Sequence, residues 1–302
     1  MTSIVRLVAL VTAFVAATVT ATPAVAVPAT DVIVLPGATS AEGIATGYGA
    51  TFYAGDLFAG DIFRGNYQRG TAELFIDAPA GRMALGMKFD PITKLLFVAG
   101  GFSGQAHVYH GTSGADVATY QLGGVVNDVI LVPGGAWFTD STQPKLYFVP
   151  VDPSGKLGTA QTLTLSGPAA DLTGEFNLNG IEAVRNGRTL LVAHSANAAI
   201  YTVNAKTGES AVVAGVNVPN VDGIIRSGRH LWVVQNLDNK VTRWRLSSDL
   251  TSGTLEKTIT SPHYQVPTTA ALFGHRLAVV NAKFDTGLPP TADQYEVVLT
   301  NR

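Results

Sequence analysis

A short pattern of residues recurs six times along the chain, and it limits the folds that the chain can adopt. Each copy has a polar or small residue, then an apolar run, a tight turn and a second apolar run. The fullest copy is the stretch VNDVILVPGGAWFTDS, which spans Val126–Ser141. The other five copies begin at Glu42-Gly43-Ile44, Leu85-Gly86-Met87, Asn179-Gly180-Ile181, Asp222-Gly223-Ile224 and Thr268-Thr269-Ala270. Short apolar runs joined by Gly-containing turns indicate antiparallel strands.

The repeat predicts an all-β, six-bladed β-propeller. Each unit has room for about four strands, and the units follow one another at a period of roughly 40–50 residues, which is typical of propeller blades. The composition agrees, because 46% of the 302 residues are hydrophobic, only 14% are charged, and 32 are Gly. A β-sandwich or two stacked domains are the alternatives. The regular phase of the repeat favours one propeller domain spanning residues 27–302.

The sixth unit has only three predicted strands. Asp31–Leu35 is a short apolar strand that precedes the first unit and has no hairpin partner nearby. We expect this N-terminal strand to join the last blade and close the ring, which would leave no open edge between the first and last blades.

The N-terminus has the pattern of a secretory signal peptide. Arg6 provides the positive charge, Leu7–Val19 is apolar, and Ala24-Val25-Ala26 is a small-x-small cleavage site. Residues 1–26 are therefore predicted to be removed and the mature protein to be secreted. An uncleaved N-terminal anchor is the alternative. We expect no membrane span in the mature chain, because no later segment is long and apolar enough.

Charge and cysteine content exclude several functions. The net charge of −2, without any basic run, argues against nucleic acid as a partner. The absence of cysteine excludes disulfides, thiolate ligands and a cysteine nucleophile. Nothing in the sequence indicates an obligate protein partner.

The residues that open the first strand of each unit are predicted to converge at one mouth of the propeller channel. These residues are Glu42, Gly86, Asn127, Asn179, Asp222 and Thr269. Two carboxylates and two amides brought together out of water repel one another unless a cation lies between them. Oxygen ligands with two negative charges suit Ca²⁺, with Mn²⁺, Mg²⁺ or Zn²⁺ as substitutes. Asn-Gly and Asp-Gly are also common in turns, so the prediction depends on the matching phase of all four.

The constellation resembles the SMP-30/gluconolactonase/LRE-like family of six-bladed propellers. The matching pieces are Glu42-Gly43, Asn127-Asp128 followed by Trp137-Phe138-Thr139-Asp140, Asn179-Gly180-Ile181, and Asp222-Gly223-Ile224. The resemblance implies that Glu42, Asn179 and Asp222 bind the metal and that Asn127 lies beside metal and substrate. The chain differs from the family at His194, where Asp is frequent, and at Ile44, where Pro is common. No arginine corresponds to the one that some sugar-lactone members use.

Two functions follow from these residues. The first is a secreted, metal-dependent hydrolase of lactones or related esters, in which Asp222 accepts a proton from the attacking water and Asn127 orients the carbonyl. The second is a non-catalytic secreted propeller that binds a small molecule, a carbohydrate or a protein around a structural ion. A strictosidine-synthase-like activity is a third alternative that the Glu/Asn/Asn/Asp set fits less well.

Overall fold

The computed structural model describes residues 1–2 and 31–302, and the described chain forms a six-bladed β-propeller. The predicted signal peptide, residues 1–26, lies almost wholly outside the described residues. Six four-stranded antiparallel sheets follow one another along the sequence. Within residues 1–2 and 31–302, no helix is long and apolar enough to span a bilayer.

The first three blades each use four consecutive strands. Blade one has β2 (Ala41–Thr46), β3 (Thr51–Asp56), β4 (Ile62–Asn66) and β5 (Thr71–Ile76). Blade two has β6 (Met87–Phe89), β7 (Leu95–Ala99), β8 (Gln105–His110) and β9 (Asp116–Gln121). Blade three has β10 (Val126–Val132), β11 (Gly135–Asp140), β12 (Lys145–Pro150) and β13 (Gln161–Thr164).

The fourth and fifth blades repeat this order, and the sixth combines the last three strands of the chain with the N-terminal strand β1. Blade four has β14 (Leu178–Val184), β15 (Thr189–His194), β16 (Ala199–Asn204) and β17 (Ser210–Asn217). Blade five has β18 (Val221–Ser227), β19 (His230–Gln235), β20 (Lys240–Leu246) and β21 (Gly253–Thr260). Blade six has β22 (Pro267–Phe273), β23 (Arg276–Asn281), β24 (Glu296–Asn301) and β1 (Val32–Val34). Short 3₁₀ helices lie at Pro168–Ala170, Arg185–Gly187 and Phe284–Thr286.

The N-terminal strand is the outermost strand of the sixth sheet. β1 pairs antiparallel with β24, with Ile33 opposite Val297. Ile33 is fully buried, whereas Val34 on the other face is 41% exposed. The pairing places strands from both ends of the described chain in one blade.

Apolar clusters between neighbouring blades form the core. Ile130 and Trp137 of blade three share a cluster with Ile181 and Leu190 of blade four. The inner strands are almost entirely buried, as in β11, while an outer strand such as β9 is mostly exposed or half-buried. The three tryptophans, Trp137, Trp232 and Trp244, are all buried in these packing layers.

A β-bulge interrupts the first strand of five blades at the same point. The register shifts between Ala41 and Ile44, and equivalently in β10, β14, β18 and β22. The bulged residues are Glu42-Gly43, Asn127-Asp128, Asn179-Gly180, Asp222-Gly223 and Thr268-Thr269. A bulge leaves a residue unpaired and redirects its side chain, so the fold repeats one side-chain position around the axis.

Candidate metal centre and substrate cavity

One cavity receives residues from all six blades at the end of the propeller where the bulges lie. Its volume is about 550 Å³. The four residues predicted from the repeat, Glu42, Asn127, Asn179 and Asp222, all line it. Their side chains are buried, each less than 9% exposed. The structure therefore brings these four residues together in one place, whereas Gly86 and Thr269 do not line the cavity.

In the sixth blade, the residue at the position of Glu42 lies one residue earlier in the chain than the predicted Thr269. In the observed register Pro267 pairs with Asn281, as Ala41 pairs with Asp56, so Thr268 and not Thr269 is the equivalent of Glu42. The hydroxyl of Thr268 donates to the main-chain oxygen of Glu42 across 2.7 Å. Thr268 thus supports the Glu42 backbone from the adjoining blade.

Glu42 is a buried carboxylate without a partner. Among the described residues, no group hydrogen-bonds its Oε2. Burial raises the pKa of Glu42 well above its ordinary value, and the nearby charges of Asp222 and Asp128 raise it further. An ionised Glu42 therefore requires a positive charge beside it.

The carboxylate of Asp222, unlike that of Glu42, accepts hydrogen bonds within the protein. Its Oδ2 accepts a hydrogen bond of 3.0 Å from the amide of Asn236. Burial raises the pKa of Asp222 to about 7, while hydrogen bonds from Asn236 and Asn179 oppose the rise. The Asn236 bond fixes the orientation of the Asp222 carboxylate through Oδ2.

Asn236 lines the cavity from the turn that follows the second strand of blade five. In blades one, three and six the last residue of the second strand, opposite the start of the first strand, is Asp56, Asp140 or Asn281. The register pairs Val221 with Gln235, so Gln235 holds that position and Asn236 comes one residue later. This offset of one residue places the Asn236 amide within hydrogen-bonding distance of Asp222.

Ser195 and Asn127 complete the polar floor of the cavity. The hydroxyl of Ser195 accepts from the amide of Asn179 at 3.2 Å and donates to the carbonyl of Val221 at 2.7 Å. Among the described residues, no group hydrogen-bonds the side-chain amide of Asn127. The side-chain amide of Asn127 is therefore free to bind a ligand, whereas the Ser195 hydroxyl already donates and accepts hydrogen bonds within the protein.

Asp128 lies beside this site and is satisfied internally. Its two carboxylate oxygens accept from the backbone N–H groups of Val129 at 2.8 Å and Ile181 at 3.2 Å. Burial raises its pKa, and Lys88 opposes the rise. Asp128 thus adds negative charge to the axis without offering an unpaired oxygen.

The donor set fits a hard cation. Among residues 1–2 and 31–302, no cluster of three or more His, Cys, Asp or Glu has metal-binding geometry. The set at this cavity has only two such residues, Glu42 and Asp222, and Asn179 supplies an amide. Carboxylate and amide oxygens around an unpartnered buried charge are the ligands that Ca²⁺ and similar ions use.

The comparisons with known proteins support the fold. No protein-family model matches the chain, and no curated protein is similar to it in sequence. The solved structure of the major allergen Mala s 1 of Malassezia sympodialis aligns with a TM-score of 0.67 at 15% identity, over 91% of this chain and 97% of the allergen. A catalytically inactive virginiamycin B lyase from Staphylococcus aureus with quinupristin aligns with a TM-score of 0.60 at 16% identity, over 89% and 83%. At such identities the likeness shows the β-propeller fold alone.

Proposed function

We propose that the protein is an exported, metal-dependent hydrolase of lactones or related esters. The observation that carries the proposal is the unpartnered, buried Oε2 of Glu42 beside Asp222. A buried carboxylate with an unpartnered oxygen beside a second buried carboxylate costs the fold considerable stability. A divalent cation removes that cost and gives the pair a function.

Glu42, Asn179 and Asp222 would hold the ion, with Ca²⁺ as the first choice. When bound, the ion supplies a positive charge that polarises a substrate carbonyl and stabilises the oxyanion that develops on it. The resemblance to the SMP-30/gluconolactonase-like family supports this ligand set.

The remaining steps fall to side chains of the cavity. Asn127 donates its free amide hydrogen to the substrate carbonyl and thereby orients the ring. Asp222, fixed through Oδ2 by Asn236, takes a proton at Oδ1 from the water that attacks the carbonyl carbon. The same proton then passes to the alkoxide that leaves when the ester bond breaks, so that the product is a hydroxy acid.

A non-catalytic binding propeller is the second candidate, and one observation favours it. Among the described residues that line the cavity, none is Lys, Arg or His. Asp222 would therefore have to act as both general base and general acid, because no Lys, Arg or His of the lining could share either role. If hydrolysis does not occur, the same cavity holds a neutral ligand over a structural ion.

The deciding experiment combines elemental analysis with a lactone panel. Purified mature protein should contain about one divalent ion per chain, and Glu42→Ala should lose it. Turnover of lactones should stop on addition of a chelator and return with Ca²⁺. An ion that raises the melting temperature without any lactone or ester turnover would support the binding propeller. Absence of ion in wild-type protein, even after calcium is supplied, would overturn both the metal site and the hydrolase.

A further inference from the structure

The cavity has a polar floor and apolar walls. Three apolar side chains at the wall are unusually exposed: Phe102 at 45%, Leu237 at 63% and Leu288 at 61%. Leu57 and Leu85, both buried, extend the same surface inward towards Glu42. Exposed apolar side chains that surround a concave polar site mark a surface that a ligand covers.

Part of this wall is an ordered group of aromatic rings. Phe58 and Phe102 lie parallel with their ring centroids 6.4 Å apart. Phe176 meets Phe102 edge-on, with the centroids 6.0 Å apart. Such arrangements are favourable for aromatic pairs, so Phe102 and Phe176 form an apolar face of the cavity that Phe58 supports from outside the lining.

Hydrogen bonds hold the loops that carry these rings. Gly101, next to Phe102, exchanges two main-chain hydrogen bonds with Val126, at 2.8 and 3.1 Å. Asn177, next to Phe176, donates from its amide to the carbonyls of Ser141 at 3.1 Å and Gly174 at 2.8 Å. The aromatic wall is therefore formed before any ligand arrives, which lowers the entropy cost of binding.

The polar groups of the cavity leave few partners for a ligand rich in hydroxyls. Ser195, Asn179 and Asn236 already hydrogen-bond within the protein, and Asn220 donates to Asp238 at 2.9 Å. Hydroxyls that enter without partners lose their hydrogen bonds to water and weaken binding. The charged residues at the cavity are Glu42, Glu175 and Asp222, so no side chain of the lining supplies a positive charge to an anionic substituent.

We propose that the substrates are neutral lactones or esters that carry an alkyl or aryl substituent, and that Phe102 and Phe176 bind this substituent. The proposal rests on the proposed function for the reacting group. The carbonyl lies at the polar floor beside Asn127, and the apolar substituent lies along the aromatic wall. Polyhydroxylated sugar lactones fit this cavity poorly, because most of its polar groups already hydrogen-bond within the protein.

Binding of lactams tests the inference without any need for turnover, since a lactam keeps the shape of the lactone ring and resists hydrolysis. We would titrate calcium-loaded protein calorimetrically with 2-pyrrolidinone, with its 5-hexyl derivative and with gluconolactam. Burial of a methylene strengthens binding by roughly fourfold. The hexyl lactam should thus bind at least on the order of tenfold more tightly than 2-pyrrolidinone, and gluconolactam should bind more weakly than the hexyl compound.

Substitutions at Phe102 and Phe176 test whether these side chains bind the apolar substituent. The double variant Phe102→Ser/Phe176→Ser should lose the advantage of the hexyl lactam and keep the affinity for 2-pyrrolidinone. Val117→Ser is the matched control, because Val117 is also 45% exposed but lies on the outer strand β9, away from the cavity. Equal affinities for the three lactams, including no binding at all, would overturn the inference, and so would unchanged affinity in the double variant. Hydrolysis of the corresponding lactones is measured separately and decides the proposed function alone.

Discussion

The side-chain amide of Asn236 donates a hydrogen bond to Oδ2 of Asp222 across 3.0 Å, from the end of one strand of blade five to the bulge of its neighbour. This bond fixes the rotamer of a carboxylate that the proposed metal site requires. Partners of this kind determine affinity, because they orient the ligand atom before the ion binds.

Removal of this bond should weaken the metal site and leave the fold intact. We expect Asn236→Ala to raise the dissociation constant for Ca²⁺ by roughly 10- to 100-fold, measured by calorimetry on metal-free protein. Asn204→Ala removes an exposed amide from a distant turn, where Asn204 accepts a hydrogen bond from the Lys206 N–H at 2.9 Å, and serves as the control. Equal calcium affinity in Asn236→Ala and wild type would show that Asn236 does not position a ligand.

Glu42→Gln should stabilise the metal-free protein. The substitution removes a buried charge whose Oε2 has no partner among the described residues, a situation that costs on the order of 1–3 kcal/mol or more. In the presence of a chelator at pH 8 we expect the variant to melt at a higher temperature than wild type. Calcium should raise the melting temperature of wild type by mass action and leave that of the variant unchanged. A lower melting temperature for the variant in chelator would mean that the charge is compensated within the protein.

Glu182 should make the stability of the protein depend on pH. Burial raises the pKa of Glu182 to about 7, against the opposing charges of Lys88, whose Nζ lies 3.9 Å away, and Arg226. A carboxyl whose pKa is higher in the folded state binds more protons when folded, so its contribution to stability is lost as the pH rises from about 4.5 to about 7. Between pH 4 and pH 8 wild type should lose on the order of 3 kcal/mol more than Glu182→Gln, measured by urea unfolding. A difference between the two proteins that does not vary with pH would contradict this assignment.

The sequence repeat predicted most of the fold. Each blade buries the same faces of its strands, so the apolar residues recur at the same positions in every unit. All six predicted units contain the observed sheets, from β2–β5 in the first unit to β22–β24 in the last. The four polar positions were also predicted, since the same bulge presents Glu42 and Asp222 at the same phase. The exact phase was wrong in blade six, where Thr268 and not Thr269 is the equivalent of Glu42.

The cavity wall could not be predicted from the repeat. Phe102, Phe176 and Leu288 lie on loops that differ in length between blades, so no periodicity relates them. Their proximity depends on the arrangement of the blades, since residues of blades two, four and six line one cavity. A side chain on such a loop acquires its role from tertiary structure, and a pattern within one unit carries no information about it.

Close packing of the inner strands should make Gly180 irreplaceable. A Cβ at this position would lie 2.6 Å from the backbone nitrogen of Ile224 and 2.7 Å from the carbonyl oxygen of Asp222, both in the adjoining blade. Backbone atoms cannot move aside cheaply, so we expect Gly180→Ala to cost roughly 1–3 kcal/mol or more. Gly134→Ala is the control, because Gly134 has a positive φ of 89° but open space around it, and should cost only about 1–2 kcal/mol. Equal costs in urea unfolding would refute the packing argument.

The strand β1 should contribute to the stability of the whole ring, because it is the outer strand of the blade that also contains β24. Ile33 is fully buried in a cluster with Phe52 and Phe63 of blade one and Val297 of blade six. Truncation of a side chain that spans two blades leaves a cavity between them, and Ile33→Ala should cost roughly 2–5 kcal/mol. Val34→Ala, on the exposed face of the same strand, should cost less than about 0.5 kcal/mol. If the two variants unfold at the same urea concentration as wild type, β1 pairs with β24 without supporting the junction of the first and last blades.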